Sequence, residues 1–155
     1  FNSIKNGYYY EVDLEFHYDE WNINNTSDII SKYIDWRIGD VINPNSSTQF
    51  TVTTQDFFQK IKTRIQVDPN LVRKAKYVKI NYYVSEKQLY NYININQEAV
   101  NSLLFELPVY SNFSGSGSGI FSSRRFEQSI QKNLKQATLD RLEIDSHTID
   151  LNFIP

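Results

Sequence analysis

The stretch YYYEVDLEFHYD, residues 8–19, decides the fold of this chain. Its even-numbered positions are apolar or aromatic, and from Glu11 onward its odd-numbered positions are acidic, apart from His17. A period of two over twelve residues predicts a strand, because successive side chains of a strand point to opposite faces. One greasy face and one acidic face are typical of an antiparallel sheet that is solvated on one side.

Two further segments have clear periodicity. Residues 76–84 alternate again, with Val78 and Ile80 on one face and Tyr77 and Lys79 on the other, which predicts a second long strand. Between the two strands, the apolar positions of residues 57–65 recur at helical spacing behind a threonine cap, Thr53 or Thr54. We therefore predict a helix that ends before residue 68.

The remaining segments are less regular. Residues 21–40 fit either a short helix near residues 27–33 or a long excursion that carries a brief strand. Short strands are predicted over residues 49–53 and 120–125, and a closing strand over residues 149–153. The apolar spacing of residues 127–144 indicates a helix.

Residues 85–95 have two interpretations. Ser85 and Gln88 match the capping-box pattern at the start of a helix, whereas the tyrosines and isoleucines that follow also favour a strand. We favour the helix. The whole pattern predicts an α+β fold with a mainly antiparallel sheet and two or three helices packed on one side, in a single domain over residues 1–155.

Composition excludes several classes of function. The net charge of −2 and the pI near 5.7 lack the basic excess that phosphate neutralisation requires, so we do not expect a nucleic-acid partner. The absence of cysteine excludes disulfides, thiolate catalysis and cysteine-based zinc sites. No apolar run approaches the roughly 18–20 residues that span a bilayer. No cofactor is expected.

The acidic side of the first strand is the first candidate for chemistry. Glu11, Asp13, Glu15, His17 and Asp19 project from one side at intervals of roughly 7 Å. This spacing suits a solvated face better than a cation site, because a straight strand cannot wrap its ligands around one ion. We predict no metal ligands.

The sequence also predicts no catalytic residues. The only two histidines, His17 and His147, have acidic neighbours but no serine on a strand-to-helix turn. Residues 115–119, GSGSG, hold the letters of such a turn, yet their alternation is typical of a flexible loop over residues 111–119. A hydrolase that pairs Glu11 or Asp13 with His17 stays as a minor hypothesis.

Aromatic residues supply the candidate binding residues. Aromatic side chains make up 15% of the chain, enough for both core bulk and an exposed binding face. Each one has a structural alternative, because a tryptophan beside a long loop often pins that loop to the core. The candidate binding residues are Trp21, Trp36, Tyr83, Tyr90 and Arg124.

Residues 107–114, LPVYSNFS, and 117–124, GSGIFSSR, carry a further pattern. It resembles a recurrent segment near the end of uncharacterised cell-envelope lipoproteins of Bacteroidota. The early tyrosine-rich strand and the last residues fit the same layout more loosely. The chain departs from the family pattern at residues 113–116, where a Glu-Asn-Gly-like turn is usual. Without the family, the alternating glycines explain a turn that feeds Ile120 and Phe121 into the sheet.

The resemblance implies a location rather than a reaction. Such lipoproteins are anchored at the outer membrane through a lipidated N-terminal cysteine, so the chain would be the C-terminal part of a longer precursor. Its start at Phe1 and its lack of methionine fit that expectation. We therefore expect a non-enzymatic accessory or protein-binding module of the cell envelope, as a component of an outer-membrane protein complex. A glycan-binding module is the alternative.

Overall fold

A computed structural model describes residues 6–44, 47–100, 115, 120 and 122–155. The strands are β1 (Tyr9–Asn22), β2 (Asn25–Ile42), β3 (Leu71–Ser85), β4 (Arg124–Lys132) and β5 (Phe153–Ile154). The helices are α1 (Thr54–Arg64), α2 (Lys87–Val100) and α3 (Gln136–His147). The predicted α+β class is confirmed.

The sheet has the strand order β2-β1-β3-β4. Strands β1 and β2 form a hairpin, and in its turn the Asn22 side chain accepts a hydrogen bond from the Asn24 amide at 2.9 Å. Strands β1 and β3 run antiparallel. The Ile23 amide donates to the Asn70 carbonyl at one end of the pair, and the Tyr8 amide donates to the Ser85 carbonyl at the other. The exception is β5, which pairs parallel with β3.

The chain divides into two compact units. Unit 1 contains Phe1–Glu11, Gly39–Gln49 and Tyr82–Glu127, and unit 2 contains Val12–Ile38, Phe50–Asn81 and Gln128–Pro155. In unit 1, the ring of Tyr90 on α2 lies 5.5 Å from that of Tyr8 and 5.0 Å from that of Tyr9. The single-domain interpretation stays a prediction.

The hydrophobic core of unit 2 lies on the apolar side of β1. Leu14, Phe16 and Tyr18 are buried there, as the alternation predicts. Helix α1 supplies Phe57, whose ring meets that of Phe16 edge-on at 5.1 Å. Further members come from α1 itself, β2, β3, α3 and the C-terminal segment, and they include Ile61, Trp36, Val78, Leu142, Leu151 and Phe153. Burying each large apolar side chain contributes about 1.5–3 kcal/mol.

Residues 21–40 differ from both sequence interpretations. They are neither helix nor loop, because nearly all of them belong to the long hairpin that β1 and β2 form. Residues 25–33 of β2 are all exposed, so their sequence carries no burial pattern. Backbone pairing with β1, rather than burial, makes this segment a strand.

Three other boundaries are corrected. Residues 49–53 form no strand and lead into the cap of α1. Strand β4 begins at Arg124 rather than at residue 120, and residues 127–132 belong to it rather than to a helix. The apolar spacing that indicated a longer helix includes Leu134, which precedes α3 and packs against the core from a connecting segment. The closing strand has only two residues, although Ile149 and Leu151 also face the core.

The helical interpretation of residues 85–95 is confirmed by α2, but its predicted cap is not. Ser85 is the last residue of β3, and its buried hydroxyl has no hydrogen-bond partner in the described part of the chain. The loop predicted over residues 111–119 lies outside the described residues except for Gly115, whose φ of 138° favours glycine.

Candidate interaction surface

Strand β2 lies at one edge of the sheet, as far as the described residues show. Three apolar side chains on it are at least half exposed: Ile29 at 58%, Ile30 at 50% and Tyr33 at 60%. An edge strand presents a row of unpaired amide and carbonyl groups, and proteins commonly protect such edges with proline or shorten them. Strand β2 has 18 residues and no proline. Charged side chains such as Asp28 and Lys32 also protect edges, and Arg64 donates to the Asp35 carbonyl, so residues 25–33 are the part of this edge that is open to another strand.

Salt bridges hold β2 against a buried charge. Lys32 pairs with Glu20, and Glu20 accepts a 2.8 Å hydrogen bond from Nε of Arg73, which is only 1% exposed. Arg73 also donates to the carbonyl oxygens of Leu151, at 2.9 Å, and Gln66, at 3.1 Å. Because these partners fix Glu20, the position of Lys32 on the edge strand is fixed too.

Three rings form a ladder across the solvent-facing side of unit 2. The imidazole of His17 on β1 stacks on Tyr33 of β2, with centroids 5.3 Å apart, and on Tyr77 of β3 at 4.6 Å. The interplanar angles are 24° and 26°. Tyr33 is the exposed ring of this ladder, and it offers a flat apolar surface that the stacked His17 imidazole holds in place.

Glu15 lies beside this ladder and is tied to it. Its carboxylate contacts His17 Nε2 at 2.9 Å, accepts a 2.6 Å bond from Asn81 Nδ2 and lies 3.6 Å from Lys79 Nζ. Partial burial raises the pKa of Glu15, but the bonds from His17 and Asn81 and the charge of Lys79 outweigh it. The net pKa lies below the ordinary value, so the carboxylate stays ionised.

Asp19 forms a second such node. It accepts hydrogen bonds from Ser31 Oγ at 2.6 Å and Lys76 Nζ at 3.1 Å. Partial burial raises the pKa of Asp19, and the bonds from Ser31 and Lys76 together lower it further than burial raises it. Since Ser31 lies on β2 and Lys76 on β3, this node ties the edge strand to the interior of the sheet.

Carboxylates of the acidic face form ion pairs with residues of β2 and β3. No three His, Asp or Glu side chains in the described ranges are placed to hold a metal ion. Asp13 lies 3.8 Å from Arg37, and Glu15 and Asp19 are bound as above. His147 is exposed in the last turn of α3. The ionised face serves mainly to join three strands.

The predicted aromatic site residues fall in different environments. The expected exposure of Trp36 is wrong: its indole is 5% exposed and lies 5.8 Å from the ring of Phe57 in the core. Trp21 is partly buried near the end of β1. With Trp36 in the core, the two tryptophans do not form an exposed face for a ligand.

In unit 1 the structure brings two of the predicted residues together. The guanidinium of Arg124 lies over the ring of Tyr83 at 4.3 Å, and the Tyr83 ring lies 5.0 Å from Phe126. Arg125 pairs instead with Glu127, as expected for neighbouring residues that point to opposite faces. Tyr90 packs on Tyr8 and Tyr9, as described above.

Unit 1 also contains an open cleft of about 550 Å³. Its lining is mostly polar and comes from residues 6–8, residues 43 and 44, and the start of α2 at residues 86–88. The Lys87 ammonium lies 5.6 Å from the centre of the Tyr8 ring. The described lining of the cleft holds no histidine and no cluster of apolar side chains.

Sequence reasoning did not identify Ile29, Ile30 and Tyr33 as a cluster of exposed apolar side chains. Their spacing has no period that distinguishes a helix from a strand. The local signal was the turn after β1, where Asn22 and Asn24 are residue types that favour tight turns. Reading that turn as a hairpin would have made residues 25–42 the partner strand of β1.

Comparisons with known proteins add no relative. No family model, no curated protein and no solved structure matches this chain. Among the described residues, no helix has the length and apolar character that crossing a bilayer requires.

Proposed function

We propose that this chain is a non-enzymatic protein-binding module of a Gram-negative cell envelope, and that it binds through the edge of β2. The observation that carries this proposal is the exposure of residues 25–33, which leaves three large apolar side chains in solvent. Single exposed apolar residues are ordinary, whereas a cluster on a long sheet edge is typical of an interaction site.

Strand addition explains how this edge would bind. A partner strand gains main-chain hydrogen bonds from the edge, and alternate side chains supply specificity. Ile29 and Tyr33 lie on one face of β2, and Ile30 lies on the other. A partner strand with apolar residues on both faces would therefore cover all three.

The location in the proposal comes from the resemblance of residues 107–124 to envelope lipoproteins of Bacteroidota. In such a setting the module would hold a partner within an outer-membrane complex, and a lipid anchor would come from a preceding segment. Cell fractionation of a bacterium of this phylum that expresses the tagged precursor tests the location. Recovery in the cytosolic fraction would contradict it.

Site-specific photocrosslinking tests the binding surface. A photoreactive phenylalanine analogue is placed at Ile29 or Tyr33 in the precursor, with Ile144 on α3 as the matched control because it is 64% exposed. We expect one discrete crosslinked protein from both β2 positions and none from position 144. Equal labelling from all three positions, or none from β2, would overturn the proposal.

A glycan-binding module is the second candidate, favoured by the exposed Tyr33 ring stacked on His17. Aromatic faces are apolar and suit the C–H face of a sugar ring. A glycan array with the wild type and Tyr33→Ala separates the two candidates. A hit that Tyr33→Ala abolishes would support the glycan, whereas an array without hits would remove it.

A further inference from the structure

The charged residues of β2 are arranged for pairing with a copy of the same strand. Asp28 is exposed and has no ion-pair or hydrogen-bond partner among the described residues. Lys32 follows four positions later, and although it pairs with Glu20, its side chain is still 45% exposed. An ammonium has three N–H donors, so Lys32 can donate to a second carboxylate besides that of Glu20.

We infer that the partner strand at β2 is β2 of a second copy of this chain, antiparallel about a two-fold axis through Ile30. This inference rests on the proposed function, since it names the occupant of the same edge. In a closed two-fold interface each contact occurs twice. Residues equally distant from Ile30 in opposite directions then face each other.

This register matches opposite charges. Asp28 of each copy faces Lys32 of the other, and the two Ile30 side chains face each other on the axis. Opposite-charge pairs and β-branched pairs across antiparallel strands are stabilising. On the other face, Ile29 lies diagonally from Tyr33 of the second copy, within reach of an aromatic side chain. Ile29, Ile30 and Tyr33 of the two copies thus cover one another.

Neighbouring registers lack this match. An axis at Asp28 sets two aspartates against each other, and an axis at Lys32 sets two lysines against each other. Axes at Ile29 or Ser31 place no opposite charges face to face within residues 25–35. Like charges directly opposite are destabilising, so among the axes at residues 28–32 the charges favour the one at Ile30. An axis at Trp36 would also match opposite charges, Asp35 with Arg37 and Lys32 with Asp40, but there the Asp35 carbonyl already accepts a 3.2 Å bond from Arg64, and Trp36 lies in the core.

A single introduced cysteine tests the register. The chain has no cysteine, so a disulfide in Ile30→Cys can join only two copies. Facing residues of antiparallel strands have Cα atoms about 4.5–5.5 Å apart, within the range of a disulfide. Val67→Cys is the control, since Val67 is 52% exposed and lies outside β2. We expect Ile30→Cys to crosslink at least about tenfold faster.

Sedimentation of the cysteine-free protein tests the association itself. We expect a dimer whose dissociation constant rises at least about tenfold in Asp28→Lys, which sets like charges opposite each other twice. Because Asp28 has no described partner, this variant should keep the far-ultraviolet spectrum of the wild type. A wild type that stays monomeric, or a cysteine at position 30 that crosslinks no faster than one at 67, would overturn the inference.

The failure of this inference is distinguishable from failure of the proposed function. A monomer whose β2 positions still photocrosslink to a different protein contradicts self-pairing and leaves strand addition standing. A crosslinked species of twice the mass of the chain, and no other, identifies the second copy as the partner. A dimer that Asp28→Lys leaves intact would place the contact on another face and contradict self-pairing at β2.

Discussion

Arg73 and Glu20 illustrate how a buried charge is accommodated in this fold. A buried ion costs several kcal/mol unless a partner charge and further hydrogen bonds compensate it. All three guanidinium nitrogens of Arg73 donate hydrogen bonds, one to the Glu20 carboxylate and two to carbonyl oxygens. Burial raises the pKa of the neighbouring Tyr18, the charge of Glu20 raises it further, and Arg73 partly offsets both.

Glu15 gives a prediction of pH dependence. Its pKa is lowered on folding, so its contribution to stability is complete above the unfolded value, near about 4.3, and is lost as the pH falls through the folded value. Glu15→Gln should therefore reduce the free energy of unfolding at about pH 7 and much less at about pH 3. Urea denaturation at both pH values measures this difference.

The control for Glu15 is Asp40→Asn. Asp40 is exposed and has no described ion-pair partner, so its replacement should change stability little at either pH. A loss of stability in Glu15→Gln that is equal at both pH values would show that packing, rather than the charge of Glu15, is responsible.

At the scale of single elements, α1 and β2 are specified in different ways. Helix α1 carries its own start signal, because the Thr53 hydroxyl accepts a 3.1 Å bond from the Asp56 amide and the Asp56 carboxylate accepts one from the Thr53 amide. The Thr53 hydroxyl also donates to the Asp56 carboxylate at 2.6 Å, and this bond, together with the one from the Thr53 amide, lowers the pKa of Asp56. Strand β2 has no burial pattern over residues 25–33, and beyond the turn that precedes it the strand depends on its partner β1.

The cap of α1 can be tested by removing one hydroxyl. Thr53→Ala should lower the free energy of unfolding by about 1 kcal/mol, within the usual range for helix caps. Thr51→Ala is the matched control, since Thr51 is exposed two residues before the cap and has no described partner. Chemical denaturation of both variants measures the difference. Equal losses would mean that the cap contributes nothing specific.

At the scale of the whole molecule, the C-terminal segment closes the core of unit 2. Leu151 is fully buried, Phe153 is 4% exposed, and the Phe153 amide donates to the Ser146 hydroxyl at 3.0 Å. Parallel pairing of β5 with β3 places Phe153 against Tyr18 and Phe16, with centroid distances of 5.8 Å each. The last residues therefore contribute to the same core as β1.

Adjacent residues of β5 provide a matched pair of substitutions. Phe153→Ala should cost about 3–5 kcal/mol of stability, because it leaves a cavity among buried rings. Ile154→Ala should cost less than about 1 kcal/mol, since Ile154 is 41% exposed. Thermal and urea denaturation measure both. Similar losses from the two variants would contradict the assignment of Phe153 to the core.

Local physics was enough for much of the architecture. The alternation of β1 and β3 and the spacing and cap of α1 specify these elements within their own residues, because one face of each must be buried. The α+β class, the mainly antiparallel sheet and the separation of an apolar from an acidic face on β1 followed from them, whereas the acidic face is partly buried by its ion pairs rather than fully solvated. The same reasoning could not place Trp36, since the alternation of β2 is hidden by its exposed first half.

Tertiary structure decided what depends on neighbours distant in sequence. It made residues 25–42 an edge strand, placed the Trp36 indole in the core, stacked His17 between Tyr33 and Tyr77, and brought Arg124 over Tyr83. Each of these results requires contacts between separate segments of the chain, through strand pairing or through packing of a helix on the sheet. Pairing is a property of two segments, so the residues of either segment alone do not encode it.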